Sequence, residues 1–152
     1  VEIVARHPHC GVCLMHMQGQ PRTMQQAPVY SNVVDDVVDY LTGRVAAAQV
    51  AGIEAQRIVL DPGFGFGKTL AHNLDLLCYL AVLCGVGLPV LAGMSRKSML
   101  GHLTGRDVDQ RLAAGIAAHV MAVQRGARIV RVHDVAPMRD ALAVWRAIEA
   151  DA

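Results

Sequence analysis

Four times along the chain a short apolar run stops at a polar cluster and gives way to a helical pattern. No other feature limits the fold as much. The sharpest case runs Arg57-Ile58-Val59-Leu60-Asp61-Pro62-Gly63-Phe64-Gly65-Phe66-Gly67-Lys68-Thr69. Pro62 cannot donate to a sheet ladder, and the glycines that follow admit backbone conformations other residues resist. Strands are therefore expected over 12–17, 58–60, 89–94 and 129–132. Helices are expected over about 32–51, 72–84 and 108–125, and from Pro137 onward, with 1–6 as a last helical turn. The apolar faces of these helices are Val34, Val37, Val38, Leu41, Val45 and Ala48, then Leu76, Leu77, Leu80 and Leu83. The third presents Leu112, Ile116, His119, Val120 and Val123, and the last Met138, Leu142, Trp145 and Ile148. Strict alternation implies an α/β fold with a parallel sheet and outer helices, and near-continuous apolar strands suit a sheet covered on both faces. Residues 1–152 read as a single domain.

Several function classes drop out. Net charge is +1 without a block of like charges, which gives no reason to expect a nucleic-acid or anionic-membrane surface. The uncharged stretch from Leu76 to Met94 has membrane-spanning length, but Gly85, Gly87 and Pro89 break it into helix, turn and buried strand. Cys10, Cys13, Cys78 and Cys84 sit in or beside apolar runs, as reduced thiols of a cytoplasmic protein would. His7, His9, Cys10, Cys13 and His16 invite a zinc reading, yet Cys13 and His16 share one expected strand and no second pair answers them. No metal site is expected from them. A phosphate-cradling Walker loop would need glycine where Pro62 stands, and a dinucleotide fingerprint would need it at Lys68.

In parallel α/β folds, ligands sit beyond the carboxyl ends of the strands. Those ends supply Met15, His16 and Met17; Asp61; Ser95, Arg96, Lys97 and Ser98; and Arg131, His133 and Asp134. One carboxylate among several bases suits a ligand with a donor edge at one end and anionic charge at the other. Asp61 can accept two parallel N–H bonds, Lys97 can donate to a carbonyl, and Arg131 with His133 can hold phosphate oxygens. The 14-residue polar loop over 18–31 is long for a strand–helix connection, and long ordered loops are often functional.

Leu14-Met15-His16-Met17-Gln18-Gly19, Asp61-Pro62-Gly63-Phe64-Gly65-Phe66-Gly67-Lys68, Gly93-Met94-Ser95-Arg96-Lys97-Ser98-Met99-Leu100-Gly101 and Arg131-Val132-His133-Asp134-Val135 closely resemble bacterial dihydropteroate synthase, in that family's order and spacing. The resemblance implies a (β/α)8 TIM barrel, of which this chain matches the C-terminal half, strands 5 to 8 with their helices. It implies condensation of 7,8-dihydropterin pyrophosphate with p-aminobenzoate in folate biosynthesis, with sulfonamides competing for the p-aminobenzoate site. On the same resemblance Asp61 takes the pterin's aminopyrimidine edge, Lys97 its carbonyl side, and Met15 packs on its ring. Arg131 and His133 hold the pyrophosphate. Ser98 meets the p-aminobenzoate carboxylate, with Gly65 and Phe66 bordering that pocket. Catalysis would rest on Lys97, Arg131 and His133.

The resemblance also implies Mg²⁺, bound through pyrophosphate and a residue of the family's N-terminal half. Four strands cannot close a barrel. Open edges are therefore expected at the first and last strands, with pairing to a complementary half-barrel or a homodimer, and little turnover by the chain alone. Two other readings are a non-catalytic pterin-binding half-barrel and a methyltetrahydrofolate-dependent methyltransferase barrel. The latter has no pyrophosphate to hold, which the Ser-Arg-Lys-Ser and Arg-Val-His-Asp clusters argue against.

Overall fold

A computed structural model describes residues 1–20 and 22–149. Strands β1 (Val12–Met15), β2 (Ile58–Asp61), β3 (Leu91–Ala92) and β4 (Ile129–Val130) alternate with helices. The helices are α1 (Glu2–Ala5), α2 (Val33–Val50), α3 (Leu70–Cys78), α4 (Leu80–Cys84), α5 (Ser98–Thr104), α6 (Leu112–Gln124) and α7 (Val135–Glu149). β1 pairs parallel with β2, Met15 opposite Asp61, and β3 pairs parallel with β4, Leu91 opposite Ile129. A parallel bridge from Leu60 to Val90 joins the two pairs, giving the spatial order β1-β2-β3-β4. Among the described residues, β1 and β4 are the open edges. This is the parallel β/α arrangement read from the alternation.

The core lies between the sheet and its helices. Leu14, Ile58, Leu60 and Val90 point into it from the strands, and Val37, Leu41, Leu76, Leu80 and Leu83 meet them from the helices. Side chains alternate across a strand, so Cys13 and Met15 turn to the opposite, more open face. Asn32 caps α2 by accepting from the N–H groups of Val34 (3.0 Å) and Asp35 (3.4 Å), with Asp35 and Asp36 in the favourable first turn. Thr69 and His72 form a reciprocal cap on α3.

Several boundaries differ from expectation. β1 stops at Met15 rather than at 17, because His16 N–H donates to the Asp61 carbonyl at the last rung and the chain then turns away. β3 and β4 are two residues each, although Arg131 N–H still donates to Ala92 at 2.9 Å beyond β4. The helix expected over 72–84 breaks at Tyr79, and Ser98–Thr104 forms a further helix, α5, between β3 and α6. The helix expected from 108 begins at Leu112 after a 3-10 turn, Val108–Gln110. Its buried face is Gly115, Ala118, His119 and Ala122, while Leu112 is 42% exposed. Small residues let α6 approach closely, so the large aliphatic residues lie on its flanks. On α7 only Met138 is buried, and Ile148 is exposed. Among the described residues no helix is long and apolar enough to cross a membrane.

Gly63 is the tightest point where the site loop meets β1. Its φ is +68°, and a Cβ there would lie 1.9 Å from the His16 carbonyl oxygen. Gly52 has φ +90° but open space around it. Gly63→Ala should therefore cost more than about 3 kcal/mol in urea unfolding, against about 1–2 kcal/mol of backbone strain for Gly52→Ala. Equal costs would show that the loop yields freely.

Candidate functional site

β2 delivers Asp61 to the carboxyl end of the sheet, where it is 1% exposed. A carboxylate so enclosed needs partners. Its Oδ1 accepts from the Gly63 N–H at 2.8 Å, and its Oδ2 accepts from Arg131 Nη2 at 3.1 Å. The Arg131 side chain remains 55% exposed. It reaches Asp61 by crossing Gly93, whose missing Cβ leaves room: a Cβ would sit 2.9 Å from Nη2.

Side chains pin the backbone along the whole glycine-rich loop. Lys68 Nζ, on a buried side chain, donates to the carbonyls of Gly63 and Phe66 at 3.1 Å each and to His16 Nδ1 at 2.9 Å. Lys97 Nζ donates to the Phe64 carbonyl and lies 4.5 Å from the Phe66 ring centre, in cation–π contact. Asn73 Oδ1 accepts from the Gly65 N–H at 2.7 Å, and Tyr30 Oη donates to the Gly67 carbonyl at 2.7 Å. Burial pushes the Lys68 ammonium down to about 7 and Lys97 to about 8, against the partial compensation of Asp61. His16 is held down at about 4 by burial, then by Lys68 beside it.

Farther out, Ser95 Oγ meets His133, and Arg96 Nη2 pairs with Asp134 Oδ1 at 3.0 Å. Gly93, Ser95, Lys97, Arg131, Val132 and His133 enclose a cavity of about 170 Å³. A larger cleft of about 580 Å³ opens elsewhere, between the start of α2 and the α3–α4 pair, away from these groups. The strand ends are the better candidate because there buried ions, pinned backbone and a cavity coincide.

The structure brings Asp61, Lys97, Arg131 and His133 to one end of the sheet, with Met15 paired beside Asp61. Gly65 and Phe66 are half-buried next to Lys97, and Ser98 is exposed at the first position of α5. Lys68 and Asn73 carry structural roles that no local pattern announces, while His119 lies inward, as the periodicity of its helix implies. His119 is fully buried, accepting from Met94 N–H at 3.1 Å and donating from Nδ1 to the Gly115 carbonyl at 2.6 Å, so it anchors the end of β3. A lysine closing a glycine-rich loop was the available signal for Lys68, but nothing local tells an inward lysine from a solvated one.

The family model described as "Pterin binding enzyme" matches residues 1–133. The chain is 53% identical over 136 residues to the dihydropteroate synthase of Haemophilus influenzae, covering 90% of this chain and 50% of that protein. The dihydropteroate synthase of Stenotrophomonas maltophilia, solved with imidazole in its active site, superposes with TM-score 0.95 at 52% identity, covering 98% of this chain and 56% of that one. The Xanthomonas albilineans dihydropteroate synthase in complex with 7,8-dihydropteroate gives TM-score 0.85 at 51% identity, covering 92% and 51%. The chain thus spans about half the length of the curated relatives it matches.

The buried Lys68–His16 contact fixes a pH dependence. His16 takes up its proton near 4 when folded, against an ordinary 6.5, so the unfolded chain binds more protons between those values. Its contribution is complete above pH 6.5 and is lost as pH falls toward 4, a change of about 3 kcal/mol. Urea unfolding across this window should show that slope, flattened in His16→Asn. An unchanged slope in the variant would place the acid sensitivity elsewhere.

Proposed function

Because the chain belongs to the family of pterin-binding enzymes, we propose that it serves the dihydropteroate synthase reaction. A 7,8-dihydropterin pyrophosphate loses its diphosphate and p-aminobenzoate takes its place. The observation supporting this most strongly is the convergence of Asp61, Arg131 and Lys97 around one end of the sheet. A buried acceptor beside two cations fits a guest with a nitrogen-rich donor edge and an anionic tail. Asp61 receives the aminopyrimidine N–H groups, Lys97 donates to the pterin carbonyl side, and Met15 covers the ring. Arg131 is exposed enough to turn from Asp61 to the diphosphate, where His133 joins it. Ser98, with Gly65 and Phe66, borders the p-aminobenzoate site.

The chemistry is displacement at the pterin methylene. The C–O bond breaks with its electron pair on the diphosphate, the arylamine lone pair forms the C–N bond, and the nitrogen releases a proton. Lys97, Arg131 and His133 stabilise the departing charge, so no protein nucleophile is required.

The resemblance brings Mg²⁺ with it, and the residues present do not make its site. Among the described residues no three His, Cys, Asp or Glu side chains group to hold a metal. Asp61 is occupied by Gly63 and Arg131, and Asp134 by Arg96. Among the described residues β1 and β4 are unpaired edges, and a closed β/α barrel requires further strands beside them.

In an assembled enzyme, Lys97→Ala should lower product formation from p-aminobenzoate by at least about a hundredfold. Retained activity would remove Lys97 from the reaction. Gly93→Ala should lower the thermal midpoint, because an added Cβ displaces the guanidinium that neutralises buried Asp61, and should weaken pyrophosphate binding about tenfold in calorimetry. Unaltered binding would mean that Arg131 is positioned without Gly93.

A further inference from the structure

At the diphosphate end of the site, Ser95 Oγ meets two atoms of a single residue. The His133 backbone N–H lies at 3.2 Å and its ring Nδ1 at 2.9 Å. Ser95 is itself held firmly. The next residue, Arg96, sits at φ 61°, its side chain paired with Asp134 and its carbonyl oxygen accepting from Arg111 Nη1 at 3.0 Å. The β3–α5 and β4–α7 connections are thereby tied together beside the serine–histidine contact.

We propose that Ser95 is a positioning residue for His133, fixing the imidazole with Nδ1 on the hydroxyl and Nε2–H free to donate to an anionic oxygen. The proposal rests on the diphosphate reading of this site. A serine hydroxyl has one proton and two acceptor lone pairs, and the backbone N–H takes one lone pair. With a neutral ring, the hydroxyl proton goes to Nδ1 and the ring proton sits on Nε2. With a charged ring, Nδ1–H donates to the remaining lone pair, and Nε2–H is again the outward donor. The one state that turns a lone pair outward, neutral Nδ1–H, deprives the hydroxyl proton of its ring acceptor. The bond made by one ring nitrogen thus decides what the other offers. Lys97 and Arg131 line the same cavity, and the adjacent Asp134 is engaged by Arg96, so the surroundings of the ring favour an anion.

The test is long-range ¹H–¹⁵N NMR of the neutral His133 ring, a state the two ring ¹⁵N shifts themselves identify. Assignment comes from His133→Gln, and Ser95→Ala and Ser95→Thr are compared alongside calorimetric titration with inorganic pyrophosphate. The wild-type ring should be Nε2–H, and Ser95→Thr should keep it so. Ser95→Ala should give mixed tautomers and about tenfold weaker pyrophosphate binding. A dominant Nδ1–H ring in the wild type, or a tautomer unchanged by Ser95→Ala, overturns the proposal. If His133→Gln binds pyrophosphate as the wild type does, the diphosphate role of His133 fails, and the tautomer result still decides the role of Ser95.

Discussion

A carboxylate sealed at the end of a buried strand must be neutralised by what surrounds it, and the site follows from how this chain meets that need at Asp61. One oxygen is satisfied locally, by the N–H of Gly63 two residues on. The other takes a guanidinium delivered from β4, at the far edge of the sheet. Leaving such an acid unpaired would cost about 3–5 kcal/mol. The pairing is asymmetric, with the acid enclosed and the arginine half in solvent. That asymmetry lets Arg131 exchange its partner when a guest offers N–H groups to Asp61 and negative charge to the arginine.

The loop after Asp61 is shaped by the same economy of polar groups. Its carbonyls at Gly63, Phe64, Phe66 and Gly67 each accept from a side chain, two of them from Lys68 and one from Lys97. The loop is thus fixed by cations that burial has made readier to give up a proton. Lys97 anchors the loop and faces the cavity, which couples loop geometry to the electrostatics of the ligand. A preorganised arrangement of this kind stabilises developing charge without reorganising at the moment of reaction.

Much of this was legible in the sequence. The parallel β/α order followed from strands such as Ile58 to Leu60 ending in polar clusters, because a sheet residue with no outward polar face must be covered on both sides. The convergence of Asp61, Lys97, Arg131 and His133 followed from their common place at strand ends. Contacts between elements were less visible. That Lys68 turns inward depends on His16 lying across from it, a tertiary fact no local window contains. The buried face of α6 was misjudged because periodicity favours large residues such as Leu112, whereas close packing selected Gly115 and Ala118. The break at Tyr79 left no signal, since Leu77 and Cys78 before it and Leu80 and Ala81 after it would suit an unbroken helix.

The most direct measurement is calorimetric titration of the protein with 7,8-dihydropterin pyrophosphate, comparing the wild type with Asp61→Asn. If Asp61 is the group that grips the nitrogen-rich edge of the guest, the amide should weaken binding by about a hundredfold, since it removes the charge and one acceptor while keeping the shape. Equal affinity for the two proteins would contradict the account at its base.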